Sequence, residues 1–476
     1  MSSSIHYGAK IRRLRLAQGL TQAALADRLG ISPAYLNLIE NGRRRVTPDL
    51  LIRLARSFSL DLGEFGAEAD VHLVADLEEV FGDPVFEGAP VGARDAEALV
   101  VEHPELARAV LRLHQAYTAA RTSAESLTAR AMDATEIAAM DRVRLSSEQV
   151  SEFIQSRMNY FPELEEAAER LWKDARLDRD GLYTGLAAHL ERQHGVRVRI
   201  VTVREMQGAV RRFDPVRKEL LLSEILRRGS RNFQLATQLG LLTFGREIAA
   251  LAVTPELGSD ESRALGRLAL ASYFAAAVVM PYGDFLRDTE DVRYDVELLG
   301  HRFRVGWEQV CHRLTTLRRP GSEGVRFHLV RVDLAGNISK KFSATGVRFP
   351  RFSGLCPLWN VHAAFLQPGR IRVQLSRLPD GTALFSVART VQRHAGDYHQ
   401  PTVLHAVGIG CDVSEARRLV YADGVDLAHL DAAVPIGITC RLCERTHCQA
   451  RAFPSLQFPL RFDENVRGVS FFAPAG

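Results

Sequence analysis

The sequence predicts a multidomain α+β chain: an all-α head, a helical linker, an α/β middle region and a mixed α/β C-terminal region with a cysteine cluster. Three observations carry that expectation. At 476 residues the chain exceeds one ordinary domain. Its first sixty residues read as short helical patterns with tight turns, whereas VRVRIVTV (196–203) and KELLLS (218–223) read as strands among helix-like segments. Three of its six cysteines fall within residues 440–448.

Composition bounds the rest. The chain is 46% hydrophobic and 25% charged, with no apolar run near the ~20 residues of a membrane span. MSSSIHYGAKIRRLR at the N-terminus lacks the apolar core of a signal peptide. A soluble cytoplasmic protein without a membrane partner is expected, and in a reducing cytosol clustered cysteines suit metal better than disulfides. Charge is unevenly placed. Residues 1–60 hold ten Lys/Arg against three acids, while residues 61–90 hold nine acids and no Lys or Arg. A basic head fits contact with a polyanion such as DNA.

The patterns divide the chain into a head (1–65), a linker and helical dimerisation region (66–146), a ligand domain (147–295) and a C-terminal domain (296–476). The stretch 66–94, with FGDPVF and EGAPVGA, reads as a connector. Beyond Asp95, Leu106, Val110, Leu113 and Tyr117 form a helical stripe that must bury against its own chain or a partner subunit. Helices are expected at 147–174, 180–194, 229–252, 260–280 and from Trp307 to Leu317. Turns at Pro368-Gly369 and Pro379-Asp380-Gly381 separate later strands.

The head carries the strongest local signal, GLTQAALADRLGISPAYLNLIENGRR. Leu25, Leu29, Ile31, Leu36 and Ile39 make an apolar seam. Gly30 suits a tight turn, Ser32 can cap the next helix with Pro33 in its first turn, and Asn41-Gly42 can end it. Two short helices joined in this way place the second in the major groove of a double-stranded operator. Pro33, Ala34, Tyr35 and Asn37 would then reach base edges, Asn37 by a bidentate contact to adenine. Gln22 would meet the phosphate backbone, and Arg43, Arg44 and Arg45 would neutralise phosphates. The pattern TQ…LA…LGIS…YL…IENG resembles the XRE type of helix-turn-helix.

Residues 233–242, FQLATQLGLL, resemble the metallopeptidase helix of the ImmA/IrrE family, which reads roughly F-x-L-A-H-E-L-G-H-L. Thr237, Gln238 and Leu241 stand where that helix has its first His, its Glu and its second His. None can ligate zinc or act as general base in their place. The resemblance implies a peptidase-like fold without catalysis, free to bind an effector.

Cys440-x2-Cys443-x4-Cys448, with Cys411 upstream, reads as a metal site. Thiolate-only ligands with Arg441, Arg445 and Arg451 nearby favour an iron–sulfur cluster of the [4Fe–4S] type, with Cys411 the candidate fourth ligand; zinc held by the three cysteines and His447 is the rival. Cys311 and Cys356 read as small buried residues.

YFAAAVVMPY (273–282), RYDVELLGHRF (293–303), EQVCHRLTTLRRPG (308–321), RVDLAGNISKK (331–341), CPLW (356–359) and PIGITCRLCERTHCQARAFP (435–454) together resemble the short-chain fatty acyl transcriptional regulator family. That resemblance implies a self-associating regulator, a homodimer at least, that senses a short-chain acyl-CoA of the propionyl type in its middle region. For the acyl-CoA, Arg157 is the candidate phosphate partner, Tyr160, Phe233 and Tyr273 are candidate pocket walls, and Gln238 is a polar handle. The alternatives are a phage-type repressor with a structural zinc knuckle and a residual metallopeptidase-like enzyme.

Overall fold

The computed structural model describes residues 11–12, 14–16, 18–41, 44, 46–58, 68–86, 91–129, 146–350, 354–393, 399 and 402–454. The chain forms two compact units, Met1–Met132 with Pro350–Phe352, and Asp133–Phe349 with Ser353–Gly476.

In the first unit, helices α1 (Gln22–Leu29), α2 (Pro33–Glu40) and α3 (Pro48–Phe58) close on Ile11, Leu25, Leu29, Leu36, Ile39, Leu50 and Leu54. The α1–α2 turn is made by Gly30, whose φ of 63° lies in the left-handed region where a Cβ is strained. Ser32 caps α2 by accepting from the Tyr35 N–H at 3.1 Å, and Pro33 opens the helix, where a missing N–H costs nothing.

The expected connector holds a helix, α4 (Glu68–Phe81), which with α5 (Ala93–Glu102) and α6 (Pro104–Ala129) forms a second small core. Leu73, Leu77, Val80, Ala96, Val100, Ala107 and Leu111 build that core. The connector reading failed because Gly82 and Pro84 lie just past the end of α4 and terminate it without preventing the helix before them. The expected stripe on α6 divides: Val110 packs against this core, whereas Leu106 and Leu113 face outward and their neighbours Ala107 and Leu111 are buried instead.

The second unit opens with a helical stretch at 146–156, then α7 (Pro162–Asp174) and α8 (Leu182–His194). The helix expected over 147–174 is therefore broken. Met158 and Asn159 both take positive φ, and Asn159 donates to the Thr315 hydroxyl at 2.7 Å before Pro162 starts α7. Strand β1 (Arg197–Val201), helix α9 (Val203–Met206), and strands β2 (Arg211–Asp214) and β3 (Glu219–Ser223) follow. The sheet has the order β1-β3-β2, with β1 parallel and β2 antiparallel to β3. Helices α10 (Arg228–Thr243), α11 (Gly245–Leu251), α12 (Asp260–Val279), α13 (Tyr282–Asp291), α14 (Val296–Phe303) and α15 (Trp307–Leu314) lead to the second sheet.

That sheet is formed by β4 (His328–Asp333), β5 (Ile338–Ser343), β6 (Arg372–Arg377), β7 (Ala383–Arg393), β8 (Val403–Asp412) and β9 (Val434–Pro435), in the order β5-β4-β8-β7-β6-β9. A short helix, α16 (Asn360–Ala363), packs on it. One core joins Leu186, Leu222, Leu239, Phe274 and Val278 to Leu299, Val310, Leu329, Phe385 and Ile409, so it runs across the expected 295/296 boundary. Among the described residues, no single helix is long and apolar enough to cross a membrane.

Gly229 shows how closely these elements meet. A Cβ there would lie 1.6 Å from the Arg304 carbonyl oxygen, a backbone atom that no rotamer change can move. Gly229→Ala is expected to cost about 1–3 kcal/mol, the range for overpacking a closed interior. Thermal unfolding checks this, and an unchanged Tm would show that α10 shifts freely.

Candidate functional site

The candidate groove-reading surface is built first by the locked geometry of α1 and α2. Arg15 donates from Nε to Glu40 Oε1 at 2.7 Å and from Nη2 to Oε2 at 2.9 Å, and its Nη1 reaches the Leu20 carbonyl. Burial pushes the Glu40 carboxyl up, but the bonds from Arg15 and Gln22 prevail and hold it below the usual carboxylate range. Gln22 donates its Nε2 to Glu40 Oε2 at 2.7 Å, so the side chain expected at the phosphates also braces the two helices. Sequence reasoning missed Arg15 and Glu40, whose pairing across 25 residues leaves no local pattern.

At the exposed end of α2, Ser32, Pro33, Ala34 and Asn37 face solvent and Tyr35 is half-buried. The Arg44 guanidinium lies 5.3 Å from the Tyr35 ring centroid, a cation–π contact that orders both side chains. Asn41 donates to the Asn37 carbonyl at 2.9 Å and to the Asn37 side-chain oxygen, leaving the Asn37 amide nitrogen available. Arg43 and Arg45 lie outside the described residues. Arg44→Ala is expected to weaken binding to every DNA sequence and to reduce the slope of log affinity against log salt by about one. A salt titration checks this, and an unchanged slope would remove Arg44 from the phosphate contacts.

In the peptidase-like region the degenerate positions are tied into the fold. The Thr237 hydroxyl donates to the Phe233 carbonyl one turn back at 2.7 Å, Gln238 is buried, and Leu241 packs with Phe161 and Tyr273. The candidate ligand residues separate. Arg157 is exposed, and Phe233 is half-buried against the main core. Tyr160 is half-buried and edge-on to Tyr282 at 6.2 Å. Tyr273 is a correction to the expected pocket wall. Its hydroxyl donates to Glu165 Oε1 at 2.7 Å and accepts from the Phe161 N–H, and burial followed by the Glu165 charge pushes its pKa well up. Glu165 in turn takes a two-pronged bond from Arg313, which is fully buried and also donates to the Met280 carbonyl at 2.9 Å. Tyr273 therefore belongs to a buried structural network.

The cysteines give the second correction. Cys411 lies in β8 opposite Phe385, buried in the main core. Burial, with the charges of Glu415 and Asp412, pushes its thiol up to about 12, which disfavours the thiolate a metal requires. Cys356 instead neighbours the cysteine loop. Its N–H donates to the Ile438 carbonyl at 2.8 Å, and its thiol, raised mainly by burial, receives N–H bonds from Gly437 and Leu358 and responds to the charges of Cys440 and Cys443. Trp359 fastens the same loop through its ring N–H to the Gly437 carbonyl at 2.8 Å. Gly437 leaves room for sulfur, because a Cβ there would stand 2.9 Å from Cys443 Sγ. The CPLW stretch already held this cysteine, but its distance along the chain hid it.

The loop is electropositive at its heart. Arg451, 5% exposed, donates to the carbonyls of Cys440 at 2.8 Å, Cys443 at 3.2 Å and Arg445. The Ala452 N–H points at Cys440 Sγ at 3.4 Å, whereas His447 is exposed. Among the described residues, no three His, Cys, Asp or Glu side chains stand close enough together to hold an ion as placed. The donor set nonetheless suits a thiolate-bound group: sulfurs receiving N–H bonds beside a buried cation are what a cluster's anionic charge requires.

Comparison with known proteins follows the same three regions. A helix-turn-helix description matches residues 11–65, an IrrE N-terminal-like domain matches 191–315, and the short-chain fatty acyl coenzyme A regulator C-terminal domain matches 316–472. The chain is 42% identical over 459 residues to the HTH-type transcriptional regulator PrpR of Mycobacterium tuberculosis, covering 96% of this chain and 94% of that one. It is 41% identical to RamB of the same organism and 37% identical to the propionyl-CoA carboxylase regulator of Cereibacter sphaeroides, each over 98% of both chains. A solved Mycobacterium tuberculosis transcriptional regulator is 42% identical and superposes with a TM-score of 0.66, covering 69% of this chain and 99% of that one.

Proposed function

The chain belongs to the short-chain fatty acyl coenzyme A regulator family and is a DNA-binding transcription regulator, not an enzyme; on that premise we propose that a propionyl-type acyl-CoA controls its hold on an operator. One observation carries this reading. The peptidase-like region keeps its helix and sheet while Thr237, Gln238 and Leu241 replace the groups that catalysis needs. A fold kept without its chemistry suits ligand binding, and a relative over 98% of the chain is named a propionyl-CoA carboxylase regulator. Arg157 remains the candidate for the CoA phosphates, Tyr160 and Phe233 for the pocket walls and Gln238 for a polar contact. The chain acts as a homodimer in the cytoplasm, reading two half-sites.

Cys356, Cys440, Cys443 and Cys448 are the proposed ligands of a [4Fe–4S] cluster. When bound, the cluster would supply one-electron chemistry or a structural clamp to the loop. Arg451 offsets its charge, and the N–H groups of Gly437, Leu358 and Ala452 stabilise the sulfurs.

The test of effector control is thermal unfolding of the full chain with acetyl-, propionyl-, butyryl- or free CoA. Ligand at a hundredfold excess over its Kd stabilises by about 2.7 kcal/mol. Propionyl-CoA is expected to raise Tm more than free CoA. No rise with any of the four would overturn the reading.

A further inference from the structure

Helix α6 spans 26 residues, about 39 Å at 1.5 Å per residue, and its described N-terminal half packs one face on its own chain. Ala107, Leu111 and His114 are buried against α4 and α5. On the other face Leu106 is 56% and Leu113 is 72% exposed, one heptad apart, with Ala109 and Ala116 exposed between and beyond them. Two large exposed leucines at this spacing, separated by small residues, form a seam on which a second helix can approach closely. In the sequence the seven-residue spacing continues at Ala120 and Leu127.

The charges flanking the seam select the occupant and its direction. On α6, Glu105 lies at the N-terminal end of the seam and pairs with Arg108 one turn on, and Arg112 lies beyond the centre, all exposed. Placed antiparallel about a two-fold axis near Ala109, two copies bring Glu105 of each beside Arg112 of the other. Placed parallel and in register, the Glu105 and Arg112 side chains of the two copies flank opposite sides of the seam and form no such pair. The surface is complementary to itself in one orientation only, which is the requirement of an isologous dimer.

We propose that the outer face of α6, with Leu106, Ala109, Leu113 and Ala116, is the antiparallel contact between two copies of this chain. The proposal rests on the reading of the chain as a regulator that grips two half-sites, and it names the surface that pairs them. The contact lies in the unit that carries the helix-turn-helix, so it joins the two heads' own units directly.

The experiment is sedimentation of the full-length protein across micromolar concentrations. The wild type is expected at twice the chain mass, and Leu106→Glu/Leu113→Glu at the single-chain mass with unchanged helix content by circular dichroism. Monomeric wild type, or a double variant still at twice the mass, would overturn the proposal. Charge exchange tests the direction and survives any doubt about folding. Glu105→Arg or Arg112→Glu alone is expected to weaken the dimer, and the two together to restore it. A parallel contact would be indifferent to either single change, a result that would also overturn it. The thermal shift with acyl-CoA is unaffected by the α6 variants if effector binding stands independently, so failure of one reading is distinguishable from failure of the other.

Discussion

Glu165→Gln is expected to destabilise the second unit by about 3–5 kcal/mol, the cost of leaving a buried charge without its partner. Arg313 is fully buried and Glu165 is 1% exposed, so no water replaces the lost carboxylate. Burial lowers the Arg313 pKa, but the charge of Glu165 and its hydrogen bonds prevail, so the guanidinium stays charged inside the fold. Its remaining partners, the Met280 carbonyl and the Thr316 hydroxyl, are neutral and cannot balance it. The Gln amide keeps one oxygen for the Tyr273 hydroxyl, but its NH2 group meets the Arg313 Nη2 that the second carboxylate oxygen accepted from. Replacing both charged residues, as in Glu165→Leu/Arg313→Met, is expected to cost less than the sum of the single changes, because neither charge is stranded. Urea unfolding of wild type, Glu165→Leu, Arg313→Met and the double variant measures the coupling. Additive losses, or a Glu165→Gln variant within about 0.5 kcal/mol of wild type, would show that the pair contributes little.

Cys356→Ser is expected to strip most of the metal from anaerobically purified protein, while Cys411→Ser leaves the metal content unchanged. The contrast follows from position: Cys356 shares the loop of Cys440 and Cys443, whereas Cys411 lies inside β8 against Phe385. Cys411→Ser still carries a folding cost of about 1–3 kcal/mol for placing a hydroxyl in an apolar core. Iron, sulfide and zinc analysis with a visible spectrum separates the possibilities. Full iron in Cys356→Ser together with loss in Cys411→Ser would reverse the assignment. One zinc per chain with no sulfide would replace the cluster by a zinc knuckle.

The parts legible in the sequence are those whose determinants are local. The head could be read because Leu25, Leu29, Leu36 and Ile39, the Gly30 turn and the Ser32 cap all lie within a short span. The Cys440–Cys448 loop was legible for the same reason. What escaped depends on distant pairing. Tyr273 and Glu165 are 108 residues apart, Arg313 and Glu165 are 148 apart, and no periodicity announces either contact. Cys356 joins the loop because the chain returns at Ile438 to accept its N–H, which is a property of the fold alone. The division of the α6 stripe has a similar origin. Spacing picked out Leu106, Val110, Leu113 and Tyr117, but the placement of α4 and α5 buries the neighbouring Ala107 and Leu111 and leaves Leu106 and Leu113 outside.

The central claim is that acyl-CoA occupancy and DNA binding are coupled in this chain. Its most direct measurement is the affinity of full-length protein for a DNA fragment that it selects from a random-sequence pool, titrated by fluorescence anisotropy at fixed salt with and without saturating propionyl-CoA. Energetic coupling of about 1–3 kcal/mol corresponds to a change of about 5- to 150-fold. The account predicts a change of that size, larger for propionyl-CoA than for free CoA. Superimposable isotherms under conditions where propionyl-CoA raises the Tm would contradict it, because the ligand would then bind without acting on DNA.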